Sequence, residues 1–195
     1  MALKRIPVLV LLGGLVAAGC GSGHSTTTAS QKAAKPSAFA WLHPGPAPAG
    51  WSTARLLGTT VLAYPSSWHR IHSDPGTVSA AVLQPRTGLV TEYLNATPQQ
   101  GAETLQNWAR FRPDHNLDEG DRHEQVLASA TGLRFRNGTG SCVVDRYRTS
   151  RTSYQEIACL VRGSHEESVI VASALAAQWA QAAPALERAV SAFLA

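Results

Sequence analysis

The segment between residues 126 and 174 most constrains the fold, because it holds four consecutive runs with the composition of β-strands. These runs cover residues 126–136, 141–148, 154–161 and 168–174, and short turn-like segments separate them. Closely spaced strands of this kind pair as antiparallel hairpins. The sequence therefore predicts an antiparallel sheet built largely from the second half of the chain.

Two turns set the expected register of these strands. Asn137-Gly138 favours a two-residue hairpin turn, which would pair Leu133 with Cys142. In the next hairpin, we expect Cys142 to pair with Cys159. Because side chains alternate along a strand, both hairpins then place their apolar side chains on the same buried face. The residues predicted to share that apolar face are Leu133, Phe135, Cys142, Val144, Ile157 and Cys159.

The opposite face of the same hairpin is polar. The register places Asp145 opposite Glu156 and Tyr147 opposite Tyr154, and like charges that face each other are unfavourable unless something compensates them. One interpretation is a small ligand-binding site made of these four residues, in which one carboxylate has a raised pKa or both hold a cation. The structural alternative is a solvent-exposed pair, or a pair bridged by a helical arginine such as Arg188.

Two helices complete the predicted element order. Thr97 can cap a helix, Pro98 fits its first position and Gln100 can reach back as in a capping box, with Pro113 ending the helix. A second amphipathic helix is expected from about Pro184 onwards. With earlier strands near residues 60–64, 77–83 and 89–96, the class is α+β, with an antiparallel sheet of about six or seven strands flanked by two main helices.

The first twenty residues read as an export signal. Lys4 and Arg5 precede an apolar run over residues 6–16, and small residues lead up to Cys20. The run is too short to span a membrane, which takes about 20 residues. Residues 15–20, LVAAGC, resemble the bacterial lipobox, so we expect cleavage after residue 19 and a diacylglyceryl anchor on Cys20. The alternative is an uncleaved helix with an incidental cysteine.

The expected export determines how we interpret the two remaining cysteines and the domain organisation. An exported chain with two further cysteines favours a Cys142–Cys159 disulfide over two separate buried thiols. Residues 20–50 are rich in Gly, Ser, Thr, Ala and Pro, which predicts a lipidated flexible tether. The predicted organisation is therefore a signal peptide over residues 1–19, this tether, and a globular domain over residues 51–195.

Charge and motif content exclude several function classes. The formal net charge is +4, and no run of basic residues follows Arg5, so nucleic acid is not an expected partner. The chain has no nucleotide-binding, zinc-protease or nucleophile-elbow motif. Residues 113–124 and the pair His69 and His72 offer metal-ligating side chains without the spacing of a calcium or zinc site. We read them as a solvated loop and surface groups, and we expect no metal, no cofactor and no enzyme activity.

The element order, the Ala63-Tyr64-Pro65-Ser66-Ser67-Trp68 turn and the C-terminal amphipathic helix resemble the PsbP-like fold over about residues 51–195. That fold occurs in actinobacterial-type lipoproteins, those of the mycobacterial LpqN type, and the Ala- and Arg-rich composition is typical of a high-GC bacterial genome. The resemblance implies an α/β/α sandwich and a binding or assembly role. It carries no functional residue over to this chain.

The sequence thus predicts a lipid-anchored binding or accessory module at the extracytoplasmic face of the bacterial cell membrane. The membrane would be one partner through the acyl anchor, and an envelope protein or a small apolar or amphipathic ligand would be another. The alternative is an envelope hydrolase that uses Asp145 and Glu156 as acid and base. A third possibility is a structural envelope protein without a ligand.

Overall fold

The computed structural model describes residues 37–195, except Leu57 and the side chain of His123. Cys20, the expected signal peptide and the first part of the expected tether lie outside the described residues. The strands are β1 (Trp51–Arg55), β2 (Val61–Pro65), β3 (His69–Arg70), β4 (Val78–Leu83), β5 (Val90–Pro98), β6 (Arg122–Arg134), β7 (Thr139–Arg148), β8 (Ser153–Arg162) and β9 (Glu167–Leu175). The α-helices are α1 (Trp108–Asp118) and α2 (Trp179–Ala192).

The strands form two antiparallel sheets. Seven of them lie in the order β3-β4-β5-β9-β8-β7-β6, and β1 pairs with β2 in a separate hairpin. The β3 strand of two residues and the β1 strand were not among the predicted runs. The α+β class and the sheet of six or seven strands with two main helices are confirmed.

The helix α2 covers one face of the large sheet. Its buried residues recur with helical periodicity, which gives it an apolar stripe toward the sheet. The disulfide between Cys142 and Cys159 lies in this layer, together with the β1–β2 hairpin. The apolar face predicted from the hairpin registers forms part of this core, with Val144 only partly buried at its margin.

Residues 37–50 are not a free tether, so the predicted domain start near Trp51 was too late. A short 3-10 helix over Ser37–Phe39 buries Phe39 completely, and Leu42 is also buried in the α2-side core. The Gly45 N–H donates to the Ser191 carbonyl at 3.1 Å, which ties this segment to α2. Composition suggested a spacer, but two large apolar side chains are enough to hold the segment against the domain.

The β7–β8 register agrees with the prediction, whereas the β6–β7 turn does not. Cys142 pairs with Cys159, but Ala130 rather than Leu133 pairs with Cys142. The Phe135 N–H donates to the Gly138 carbonyl at 2.9 Å, so the two turn residues are Arg136 and Asn137, one position earlier than predicted. Leu133 therefore pairs with Gly140, two positions from Cys142, and a shift by two residues keeps it on the predicted face.

Both helices begin elsewhere than predicted. Pro98 ends β5, where it pairs with Ser168, and the helix starts ten residues later. There Thr104 and Asn107 exchange two hydrogen bonds, with the Thr104 N–H donating to Asn107 Oδ1 at 2.6 Å and the Asn107 N–H to Thr104 Oγ1 at 3.1 Å. This reciprocal pair takes the role that we assigned to Thr97 and Gln100.

The prolines that we expected at the end of the first helix and at the start of the second both lie inside a helix. Pro113 lies inside α1 and Pro184 inside α2, which begins at Trp179. An interior proline weakens a helix, so tertiary contacts of the helix on both sides of the proline must compensate.

The predicted polar loop over residues 114–124 is instead the end of α1, a short turn and the start of β6. None of the helices among the described residues is long and apolar enough to span a membrane.

Candidate functional site

The helix α1 lies on the face of the large sheet opposite α2. Trp108 at its start is buried against Val143, Ala158 and Leu160, and its indole N–H donates to the Ala158 carbonyl at 2.9 Å. A residue four positions later projects from the same helix face. Arg112 therefore also points at the sheet.

Arg112 is the partner of one of the predicted carboxylates. Its Nε donates to Glu156 Oε1 at 2.7 Å and its Nη2 to Glu156 Oε2 at 3.1 Å, and Glu156 is fully buried. Burial acts to lower the pKa of Arg112, but the charge and hydrogen bonds of Glu156 raise it overall. One alternative expected a helical arginine to bridge the pair; the arginine that is present comes from α1 and contacts only Glu156. Arg188 is exposed on α2, on the other side of the sheet.

Asp145 has no such partner. It is fully buried directly opposite Glu156, and no described residue donates a hydrogen bond to either of its carboxylate oxygens. Burial raises the pKa of Asp145 to about 9, with further contributions from the charges of Glu156 and Glu124. Glu124 Oε1 is also buried without a donor. A proton held by Asp145 gives these two carboxyl groups a donor that the other side chains do not supply.

The two predicted tyrosines stack but face different surroundings. Their ring centroids are 5.8 Å apart, and the Tyr154 hydroxyl donates to the Val90 carbonyl at 2.8 Å. Burial raises the pKa of Tyr147, and the nearby charge of Glu156 raises it further. Both hydroxyls are therefore neutral hydrogen-bonding groups at physiological pH.

A groove of about 720 Å³ lies beside α1, above the half of the sheet that this helix leaves uncovered. We call it the α1 groove. One wall is α1, the opposite wall is the segment over residues 72–77, and residues 98–103 line one end. Its floor consists of Ser79, Tyr93, Asn95, Thr97, Val169 and Val171.

The polar part of this floor is organised by its own hydrogen bonds. Asn95 Nδ2 donates to Ser79 Oγ at 2.9 Å, and Ser79 Oγ lies 3.2 Å from the Tyr93 hydroxyl. These residues were not predicted from the sequence. A usable signal was present, because Tyr93, Asn95 and Thr97 are polar at every second position of a strand and must share one face.

The predicted site residues divide into three places relative to the α1 groove. Tyr147 lines it, Asp145 and Glu156 lie buried in the adjoining sheet, and Tyr154 is bonded to the β5 backbone. Within the described part of the chain, no three His, Cys, Asp or Glu side chains are placed to hold a metal ion together.

Comparison with solved structures relates this arrangement to known folds. The cyanobacterial PsbP protein of Synechocystis, CyanoP, superposes with a TM-score of 0.56 at 15% identity, over 77% of this chain and 95% of that one. The chain has a PsbP-like fold. At such low identity the similarity establishes the fold and nothing about activity.

Two further structures are more distant. A Pseudomonas aeruginosa protein described as a putative regulator of unknown function has a TM-score of 0.43 at 8% identity, over 74% of this chain and 96% of its own. LpqN of Mycobacterium tuberculosis, described as involved in cell envelope biogenesis, has a TM-score of 0.37 at 14% identity, over 76% and 79%. Scores this low support no functional argument. No protein-family model and no curated protein matches the chain.

Proposed function

We propose that this PsbP-like protein is a lipid-anchored binding module on the outer face of a bacterial cell membrane, with the α1 groove as its ligand site. The observation that carries the proposal is the groove itself, whose volume of about 720 Å³ lies in the range of small-molecule sites. Its floor of ordered hydroxyl and amide groups between aromatic and aliphatic side chains suits a small polar ligand. This ligand is more polar than the apolar or amphipathic molecule that the sequence suggested.

The hydrolase alternative is less well supported by the geometry. A catalytic acid or base must come within hydrogen-bond reach of its substrate. Both oxygens of Glu156 accept hydrogen bonds from Arg112, and neither Glu156 nor Asp145 is exposed to solvent. Glu156 is better explained as the polar contact that fixes α1 on the sheet, through its hydrogen bonds with Arg112.

The anchor rests on the lipobox-like residues 15–20. Two or more acyl chains on Cys20 would hold the protein stably at a membrane, whereas a single chain binds reversibly. Membrane fractionation of a Cys20→Ser variant tests this part. Wild type in the membrane pellet and the variant in the soluble fraction would support it, and an unchanged distribution would refute it.

A substitution that fills the groove tests the ligand site. The full chain is purified from envelope membranes as wild type, as Asn95→Trp in the groove floor, and as Ser164→Trp, an exposed residue away from the groove. Mass spectrometry then compares the small molecules that co-purify. We expect a compound enriched by wild type and Ser164→Trp and lost from Asn95→Trp, with all three proteins showing the same circular dichroism. Equal recovery from the three would contradict the assignment.

A further inference from the structure

Glu103, at one end of the α1 groove, has a carboxylate oxygen without a partner. The residue is 4% exposed, and its Oε1 accepts a hydrogen bond from the Gln100 N–H at 2.9 Å. Gln99 Nε2 donates to the Glu103 backbone carbonyl at 2.6 Å, which fixes the loop around it. Oε2 is buried and accepts no hydrogen bond from any residue that the structure describes. A carboxylate oxygen taken out of water without a donor is costly to the folded state.

Gly101 packs next to this oxygen without a side chain. A Cβ atom built on Gly101 would lie 2.8 Å from Glu103 Oε2 and 3.8 Å from Phe111 Cζ. Trp108 and His115 stack on Phe111 with centroid distances of 6.1 and 6.0 Å, so its ring edge is the part that borders this space. The end of the groove therefore combines an unpaired anionic oxygen with an apolar ring edge.

The charges around the groove favour a cation. Its lining includes the carboxylates of Asp74, Glu103, Glu119 and Asp121. The positive charge of Arg112 is already compensated by its two hydrogen bonds to Glu156. The remaining basic side chains of the lining are two histidines, and one of them, His115, lies 3.3 Å from a Glu119 carboxylate oxygen.

We infer that the α1 groove binds a small molecule with a primary ammonium group, which donates a hydrogen bond to Glu103 Oε2 while its first methylene groups contact the edge of Phe111. The inference rests on the proposed function of the groove. An ammonium group is a compact cation with donors only, which matches a single unpaired acceptor. The side chains of Ser79, Asn95 and Thr97 line the same groove and can contact the polar remainder of the ligand.

Isothermal titration calorimetry with 1,4-diaminobutane and its neutral counterpart butane-1,4-diol tests this inference on the full chain in nonionic detergent. We expect the diamine to bind at least about tenfold more tightly than the diol, because a charge-assisted hydrogen bond is the stronger kind. Glu103→Gln should weaken diamine binding by about the same factor. Gly101→Ala should also weaken it, because the added methyl group occupies the space next to Oε2.

Asp118→Asn is the control, because it removes one negative charge from an exposed position of α1 outside the groove lining, and we expect a change of less than about twofold. Equal binding of diamine and diol, unchanged affinity in Glu103→Gln, or no diamine binding to wild type would each overturn the inference. If Asn95→Trp still abolishes co-purification of an envelope compound in those cases, the groove is a binding site and the ammonium assignment alone is wrong. If Asn95→Trp also has no effect, the proposed function fails as well.

Discussion

Asp145 and Glu156 lie directly opposite each other on β7 and β8, yet Glu156 accepts two hydrogen bonds from Arg112 and Asp145 accepts none within the described part of the chain. One member of the pair is held as an anion by a guanidinium group. The other is buried where a neutral carboxyl is the favoured form, and its pKa is raised to about 9. The pair therefore consists of two chemically different groups.

This difference predicts a pH-dependent stability. The pKa of Asp145 in the folded protein lies above its ordinary value of 3.8, so between about pH 4 and pH 9 the folded state binds more protons than the unfolded state. The free energy of unfolding must then fall as the pH rises through this window, by up to about 1.4 kcal/mol per pH unit for one proton. Urea unfolding at a series of pH values measures this slope.

An Asp145→Asn variant isolates the group responsible. The amide keeps a neutral donor toward Glu124, so we expect higher stability than wild type at pH 8 and a flatter pH dependence. Asp118→Asn, at an exposed position of α1, should keep the wild-type slope. The interpretation is contradicted if Asp145→Asn loses stability at pH 8 or retains the full slope.

The ion pair beneath α1 should be sensitive to the loss of one partner. Arg112→Met leaves Glu156 buried without compensation, which is expected to lower the free energy of unfolding by about 3 kcal/mol. The double variant Arg112→Met/Glu156→Met should recover most of that loss, because it removes both charges together. Arg110→Met removes a cation whose side chain is 85% exposed and should leave stability near that of wild type. Chemical denaturation of wild type and the three variants measures these free energies of unfolding. An equal loss of stability in Arg112→Met and in the double variant would contradict the pairing.

Part of this site could be read from the sequence and part could not. The pairing of Cys142 with Cys159 placed Asp145 opposite Glu156 correctly, because one pair fixes the register of two regular antiparallel strands. The identity of the arginine that binds Glu156 depended on which face α1 covers. That is set by the burial of Trp108 against Val143 and Leu160, a contact between segments far apart in the chain.

Contacts between segments far apart in the chain also explain why the predicted start of the first helix was wrong. Thr97, Pro98 and Gln100 satisfy a helix-start pattern, yet residues 96–98 pair with β9, and the sheet contacts outweigh a local signal. The groove residues of β5 were recoverable in principle from their alternation. The opposing wall over residues 72–77 follows a strand of only two residues, β3, which leaves little periodic signal.

The first described segment gives a direct test of the domain boundary. Phe39 is completely buried in the α2-side core, so Phe39→Ala should lower the free energy of unfolding by about 3 kcal/mol. Ser37→Ala, two residues earlier and exposed, should have little effect. Thermal and urea unfolding of both variants supply the comparison. If Phe39→Ala unfolds like wild type, the segment does not belong to the folded domain.

The disulfide should stabilise the folded state by closing a loop of the chain. Cys142 and Cys159 are 17 residues apart, and a closed loop of this size is worth about 3 kcal/mol in the chain-entropy description. Urea unfolding should shift to lower denaturant when a reductant is present. The double variant Cys142→Ala/Cys159→Ala serves as the control, since its unfolding should not respond to the reductant. A wild-type protein equally stable with and without reductant would show that the bond does not act this way.

Hydrogen–deuterium exchange of the full chain, with and without the soluble fraction of an envelope extract, tests most directly whether the α1 groove binds a ligand. We expect slower exchange in residues 91–107, which run from the groove floor to the loop around Glu103, and no change in α2. Unchanged exchange in residues 91–107, or protection confined to the α2 face, would contradict this expectation.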